Sequence, residues 1–118
     1  MTGWAQRLGP LPSVALPDGL TVHVARSAAA RRRGLGGLDD LPADRALHLP
    51  RTRAVHTLTM RFALDLVWLD RRGAAVRVDR GVPPRRHRAC LRARSVVEAR
   101  AGAADALLGA DLVALVQR

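Results

Sequence analysis

The chain has 118 residues, 48% of them hydrophobic, and a formal charge of +10 from 20 basic and 10 acidic side chains. That length favours one domain over two independent cores, and the hydrophobic content excludes a mainly disordered chain despite the charge. A single cysteine, Cys90, excludes an internal disulfide and a cysteine zinc cluster, and no apolar run reaches the roughly 20 residues of a membrane span.

Residues 1–12 contain Gly3, Gly9, Pro10 and Pro12 and read as a flexible N-terminal arm before a single domain over 13–118. Ser13–Leu16 and Leu20–Ala25 flank Pro17-Asp18-Gly19, where Pro presets the turn dihedral and Gly supplies the positive one, so a hairpin is expected. Ser27 is a helix N-cap candidate, Ala28–Arg33 are strong helix formers, and Gly34 is a stop. A loop then leads to a short strand, Ala46–Leu49, ended by Pro50.

The strongest pattern runs from Val55 to Leu69. Alternate residues His56, Leu58, Met60, Phe62, Leu64, Leu66 and Trp68 form a mostly apolar set, the period of a strand with one buried face. Fifteen residues exceed an ordinary strand, so a bend or two strands are expected. Val67 and Leu69 make the other face apolar too, which predicts cover on both sides of the C-terminal half. Asp70–Gly73 is a turn, and Ala74–Asp79 pairs back as a hairpin. Gly81–Arg94 reads as loop with at best an edge strand. Ser95–Glu98 reads as a strand, Gly102–Leu108 as a short helix, and Asp111–Val116 as a closing strand. The pattern predicts an α+β fold dominated by a mainly antiparallel, curled or barrel-like sheet with one or two short helices.

All 20 basic residues are arginine, and lysine, isoleucine, asparagine and tyrosine are absent. The missing types have AT-rich codons, so arginine in place of lysine reads as genome composition and carries little chemical meaning. The placement of the charge does carry meaning. Residues 71–94 hold nine arginines and one acid, residues 26–33 hold four arginines and no acid, and residues 101–118 sum to −1. Such a field attracts anions. Nucleic acid is a possible partner through Arg85, Arg86, Arg88, Arg92 and Arg94, but it is not favoured, because Trp4, Phe62 and Trp68 are the only aromatic side chains available for stacking.

The blocks Val22–Ser27 with Arg32–Leu35, Val55–Asp70 and Val97–Gly102 resemble, in order and spacing, the bacterial and archaeal family called domain of unknown function 192. In particular, His56-Thr57-x-x-Met60-Arg61-x-x-x-Asp65 is similar to the His-Thr-x-x-Met-Arg-x-Pro-x-Asp stretch of one branch. Ala63 stands at the proline position, arginine at Arg51–Arg53 replaces a cysteine that often precedes the His-Thr pair, and Gly36 replaces a usual large residue. The resemblance implies a small, β-rich α+β fold and no assigned reaction. Many relatives carry an export leader; none is visible here, so a cytoplasmic protein is expected.

The candidate ligand-binding residues are His56, Thr57, Met60, Arg61 and Asp65. His56 opens an apolar face and is either a ligand contact or a rim histidine bonded to a backbone carbonyl. Thr57 is its neighbour and points to the opposite face of a strand, which makes a nucleophile–base pair geometrically poor. Arg61 and Asp65 are about 13 Å apart in a straight strand, so they meet only if the chain bends; otherwise Asp65 braces a turn. His23, His48, His56 and His87 lack short metal-ligand spacing, and His23 and His48 are expected on exposed or edge strands; neither metal nor cofactor is expected. Asp111 and Glu98 read as turn or cap residues. The residues point to a ligand- or protein-binding accessory module with an unidentified small-molecule or protein partner. An enzyme using His56 remains open and would need a second acid or base near it. Anion or nucleic-acid binding through residues 71–94 remains open as well.

Overall fold

The computed structural model describes residues 3–116. In chain order these form α1 (Trp4–Leu8), β1 (Ser13–Ala15), β2 (Thr21–Val24), α2 (Ala28–Arg33), β3 (Arg45–Pro50), β4 (Ala54–His56), β5 (Leu64–Leu69), β6 (Ala75–Val82), β7 (His87–Ala89), β8 (Ser95–Arg100), α3 (Ala104–Leu108) and α4 (Val113–Val116). Six strands make one sheet in the order β1-β2-β3-β8-β5-β6, and β4 and β7 pair separately. Within the large sheet only β2 and β3 run parallel. Parallel neighbours need a crossover, and α2 lies in it. The fold is therefore α+β with a six-stranded mixed sheet. The sheet is open, with β1 and β6 as edges that do not pair, so the expected curl or barrel is not found.

The expected hairpins form. β1 pairs with β2 across Pro17-Asp18-Gly19, and β5 with β6 across Asp70–Gly73. Ser27 caps α2, its hydroxyl accepting the Ala30 N–H at 3.0 Å. Three expectations need correction. The N-terminal segment is helical over Trp4–Leu8 and drives Leu8 into the core; Met1 and Thr2 lie outside the described residues. His23 and His48 sit on the interior strands β2 and β3 and are buried. Asp111 and Leu112 are irregular and Val113–Val116 is the helix α4, so no closing strand forms; the apolar residues Leu112 and Leu115 are buried three apart. Asp111 Oδ1 accepts the Val113 N–H at 3.0 Å, an N-terminal cap.

The long alternating run is two strands. It breaks at Thr57–Ala63, where Met60 N–H closes a turn on Thr57 O. The turn shifts the phase of the pattern. Val55 and Thr57 are buried and His56 and Leu58 exposed, whereas Met60 and all of β5 are buried.

Each face of the large sheet carries its own core. On one, Leu47, Leu49, Leu66, Trp68 and Val96 meet Leu8 of α1, Leu35, Leu38 and Leu41 of the crossover, and Val55, Met60 and Cys90 around the small sheet. On the other, Val22, Ala46, Val67, Val97 and Ala99 meet Leu107 of α3 and Leu112 and Leu115 about α4. No helix of the described residues is long and apolar enough to cross a membrane.

Candidate functional site

Glu98 lies in β8, which is paired on both sides, opposite Leu47 of β3 and Leu66 of β5. It belongs to the α1–α2 face and is 2% exposed. β8 continues to Arg100, so Glu98 is an interior strand residue and not the strand-end cap expected above. Its Oε1 has no hydrogen-bond partner, while the Leu35 N–H donates to the carboxylate. Burial raises the carboxyl pKa from 4.5 to about 7, against the opposing pull of that N–H.

A cleft of about 400 Å³ is bordered by Glu98. One wall is the end of α2 with Arg31, Arg32, Arg33 and Gly34; another is the β3–β4 connection with Arg51, Thr52 and Arg53; His56, Thr59 and Met60 close it. Five arginines thus line the cleft that the buried Glu98 borders. None of the five is in a salt bridge among the described residues.

Local chemistry explains the arrangement. α2 ends in three arginines, where the carbonyl end of a helix favours cations. Gly34 then takes φ +51°, and a Cβ there would stand 2.7 Å from Glu98 Oε1, so only glycine lets the chain pass over the carboxyl. Arg7 of α1 ties down the following loop by donating to the carbonyls of Gly34 and Gly36. The loop also meets the β4–β5 turn, where Gly37 N–H donates to Thr59 O and a Cβ on Gly36 would strike the Thr59 side chain. Across the cleft Arg51 has φ +50°, a conformation uncommon outside glycine. Arg53 Nε donates to Ala93 O at 2.8 Å, which fixes that guanidinium. Arg51 and Arg53 also line a second cleft of about 800 Å³ with Arg26, Arg71 and Arg94.

The five ligand-binding candidates do not converge. His56 and Met60 line the Glu98 cleft. Thr57 is buried and clamps a second loop: its hydroxyl donates to Pro83 O and accepts the Arg86 N–H, both at 2.8 Å. Arg61 pairs with Asp39 at 2.6 Å on the surface and does not meet Asp65. Asp65 lies opposite Ala99 on the other face of the sheet. Its Oδ1 accepts the Gly81 N–H at 2.8 Å, where β6 bulges with Gly81 at φ +60°. Its Oδ2 accepts the N–H groups of Gly102 and Ala104 at 2.9 and 3.1 Å, capping α3 from outside because Ala103 has no side chain to do so.

The anion-binding candidates are dispersed. Arg85, with φ +65°, and Arg86 are in the Thr57-clamped turn, and Arg88 is on β7. Arg92 donates to Val76 O, and Arg94 lines the larger cleft. His56 and His87 stand opposite each other in the β4–β7 pair. No group of three His, Cys, Asp or Glu side chains among the described residues is placed to hold a metal ion.

Sequence reasoning passed over Glu98 as a site residue. The available signal was the chain's one glutamate, set among nine aspartates and placed inside the apolar run Ser95–Ala99.

The fold is similar to two solved structures. A candidate transcription regulator from Sinorhizobium meliloti 1021 aligns with TM-score 0.67 and 20% identity, over 80% of this chain and 82% of its own. A protein of unknown function from Novosphingobium aromaticivorans DSM 12444 aligns with TM-score 0.66 and 15% identity, over 91% and 92%. At these identities the likeness is one of fold. No curated protein matches the chain. The family model for domain of unknown function 192, described as "Uncharacterized ACR", matches residues 14–109, from within β1 to the residue after α3. With β2 to β8 and the Glu98 cleft inside that span, the chain belongs to the domain of unknown function 192 family.

Proposed function

We propose that this domain binds a small anionic ligand in the arginine-lined cleft between the end of α2 and the β3–β4 connection. One observation carries the reading: five arginines without acidic partners line a 400 Å³ cleft that the buried Glu98 also borders. Like charges brought together repel, and an oxyanion between them removes that repulsion while gaining charge-assisted hydrogen bonds of about 1.5–3 kcal/mol each. The cleft is within the size range of small-molecule sites. His56 contributes at the rim as a ligand contact. Thr57, Arg61 and Asp65 act on the scaffold, through the contacts described above.

The test is calorimetric titration with inorganic phosphate at low and high sodium chloride, on the wild type and an Arg32→Ser/Arg33→Ser variant. Both arginines are exposed at the end of α2, so the variant retains the fold. Saturable binding is expected, weakened by salt and at least tenfold weaker in the variant. Absent saturation, or equal affinity in the two proteins, refutes the reading.

A further inference from the structure

The cleft between α2 and the β3–β4 connection does not stand alone. Arg51 and Arg53 line both it and the larger cleft of about 800 Å³, so the two clefts adjoin along the β3–β4 connection. Arg26, Arg71 and Arg94 complete the basic lining of the larger one. Arg31 Nη1 donates to Arg26 O at 2.9 Å, which ties the α2 wall to a segment that lines the larger cleft. Together the clefts present eight arginines from five segments of the chain, and none of the eight is in a salt bridge among the described residues. No acid lines the larger cleft, and the one that borders the smaller, Glu98, is buried. We infer that the two clefts together take an oligophosphate chain, laid across Arg51 and Arg53 with one end among the α2 arginines and the other among Arg26, Arg71 and Arg94.

This inference rests on the reading of the smaller cleft as an anion site and extends the ligand beyond it. Charge sets the length. A single phosphate group carries about −1.5 to −2 near pH 7, which offsets two of the eight guanidinium groups and leaves the others repelling one another. Linked phosphates supply the charge in one molecule, and the first one held raises the local concentration of the next. Hydrogen-bond capacity sets the chemistry. Guanidinium groups donate and have no acceptor, so the ligand is rich in acceptor oxygens and poor in donors of its own. Single-stranded nucleic acid fits less well. It binds by stacking bases on aromatic side chains, and none of Trp4, Phe62 and Trp68 lines either cleft. Linked phosphates occur both in inorganic polyphosphate and in the tail of a nucleoside triphosphate, and the experiment separates the two.

The probes are orthophosphate, tripolyphosphate and adenosine triphosphate without divalent cations. Each is titrated calorimetrically at constant ionic strength into wild type, Arg71→Ser/Arg94→Ser and Arg85→Ser/Arg86→Ser. The first pair is exposed and lines only the larger cleft; the second is exposed, lines neither cleft and removes the same charge. Wild type is expected to bind tripolyphosphate at least tenfold more tightly than orthophosphate. Arg71→Ser/Arg94→Ser should lose at least tenfold for tripolyphosphate and keep its orthophosphate affinity, and the control pair should keep both. Adenosine triphosphate binding at least as tightly as tripolyphosphate assigns the chain to a nucleotide tail; weaker binding assigns it to an inorganic polyphosphate. Equal affinity of wild type for orthophosphate and tripolyphosphate overturns the inference and leaves the anion site standing. Equal losses in the two double variants also overturn it, because net charge alone would then explain them. An oligothymidylate that outcompetes tripolyphosphate overturns it in favour of nucleic acid. Binding of none of the probes removes both readings. Should Arg71→Ser/Arg94→Ser fail to fold, Arg26→Ser repeats the test at another exposed position of the larger cleft.

Discussion

Glu98→Gln removes one titrating proton from the core and gives a direct measure of how dry the surroundings of this carboxyl are. Below pH 4.5 the carboxyl is protonated in both folded and unfolded chains. Between 4.5 and about 7 the unfolded chain ionises while the folded one holds its proton, so the native state loses stability as pH rises. Above about 7 both forms are ionised and the loss is complete. That interval, at about 1.4 kcal/mol per pH unit, corresponds to about 3 kcal/mol. Glutamine carries no such dependence. The variant should match wild type at pH 4.5 within about 1 kcal/mol and exceed it by up to about 3 kcal/mol at pH 8, or roughly 10 °C in Tm for a chain of this size. Urea unfolding followed by the fluorescence of buried Trp68 at four or five pH values measures this. His23 has the opposite sign. Burial first, and then the Arg45 guanidinium, hold its imidazole below the ordinary 6.5, so its contribution is present above 6.5 and is lost as pH falls. It cancels in the difference between variant and wild type. Parallel stability profiles for the two proteins would refute the reasoning, because Glu98 would then ionise as it does in water.

Two further substitutions test the scaffold. Asp65→Ala strands three backbone N–H groups, those of Gly81, Gly102 and Ala104, and should cost about 3–5 kcal/mol by urea unfolding, whereas Asp65→Asn, with one acceptor oxygen left, should cost less. An unchanged Tm for Asp65→Ala would refute the bracing role. Gly34→Ala should destabilise by about 1–3 kcal/mol, and part of that cost should disappear in a Glu98→Ala background, where the 2.7 Å approach is gone; strict additivity in a double-mutant cycle would show that the two residues do not touch.

Elements governed by local chemistry were legible in the sequence. Pro17-Asp18-Gly19, the Ser27 cap and the Asp70–Gly73 turn all depend on residues within four positions of each other. Features governed by distant partners were not. The parallel pairing of β2 with β3 leaves no trace in either strand's own alternation. The run Asp111–Val116 is apolar enough for a buried strand or a buried helix, and periodicity over six residues does not separate them. The phase change at Thr57 is subtler. Thr57 is buried because its hydroxyl meets Pro83 O and the Arg86 N–H, groups nearly thirty residues away, so a polar side chain takes the inward position that the pattern assigned to His56. Asp65 was legible as a turn brace by its type, but its three donors come from two segments that only the fold brings together.

The same distinction separates the residues that resemble the family motif from the cleft. Thr57 and Asp65, both in that motif, spend their hydrogen bonds on the backbone of distant loops, and Gly34 gives passage over a buried carboxyl. These are the tasks of a scaffold. Arg51 and Arg53 stand around the point where the resemblance leads one to expect a cysteine, and both line the cleft. Codon bias accounts for a basic residue here being arginine and not lysine. It does not account for five arginines without an acidic partner lining one cleft when Arg61, Arg77 and Arg80 each have an aspartate. Holding like charges together lowers stability unless an anion offsets them. On the proposed reading, the cleft arginines bear on the chemistry of a ligand, while Thr57, Asp65 and Gly34 bear on the frame around the cleft.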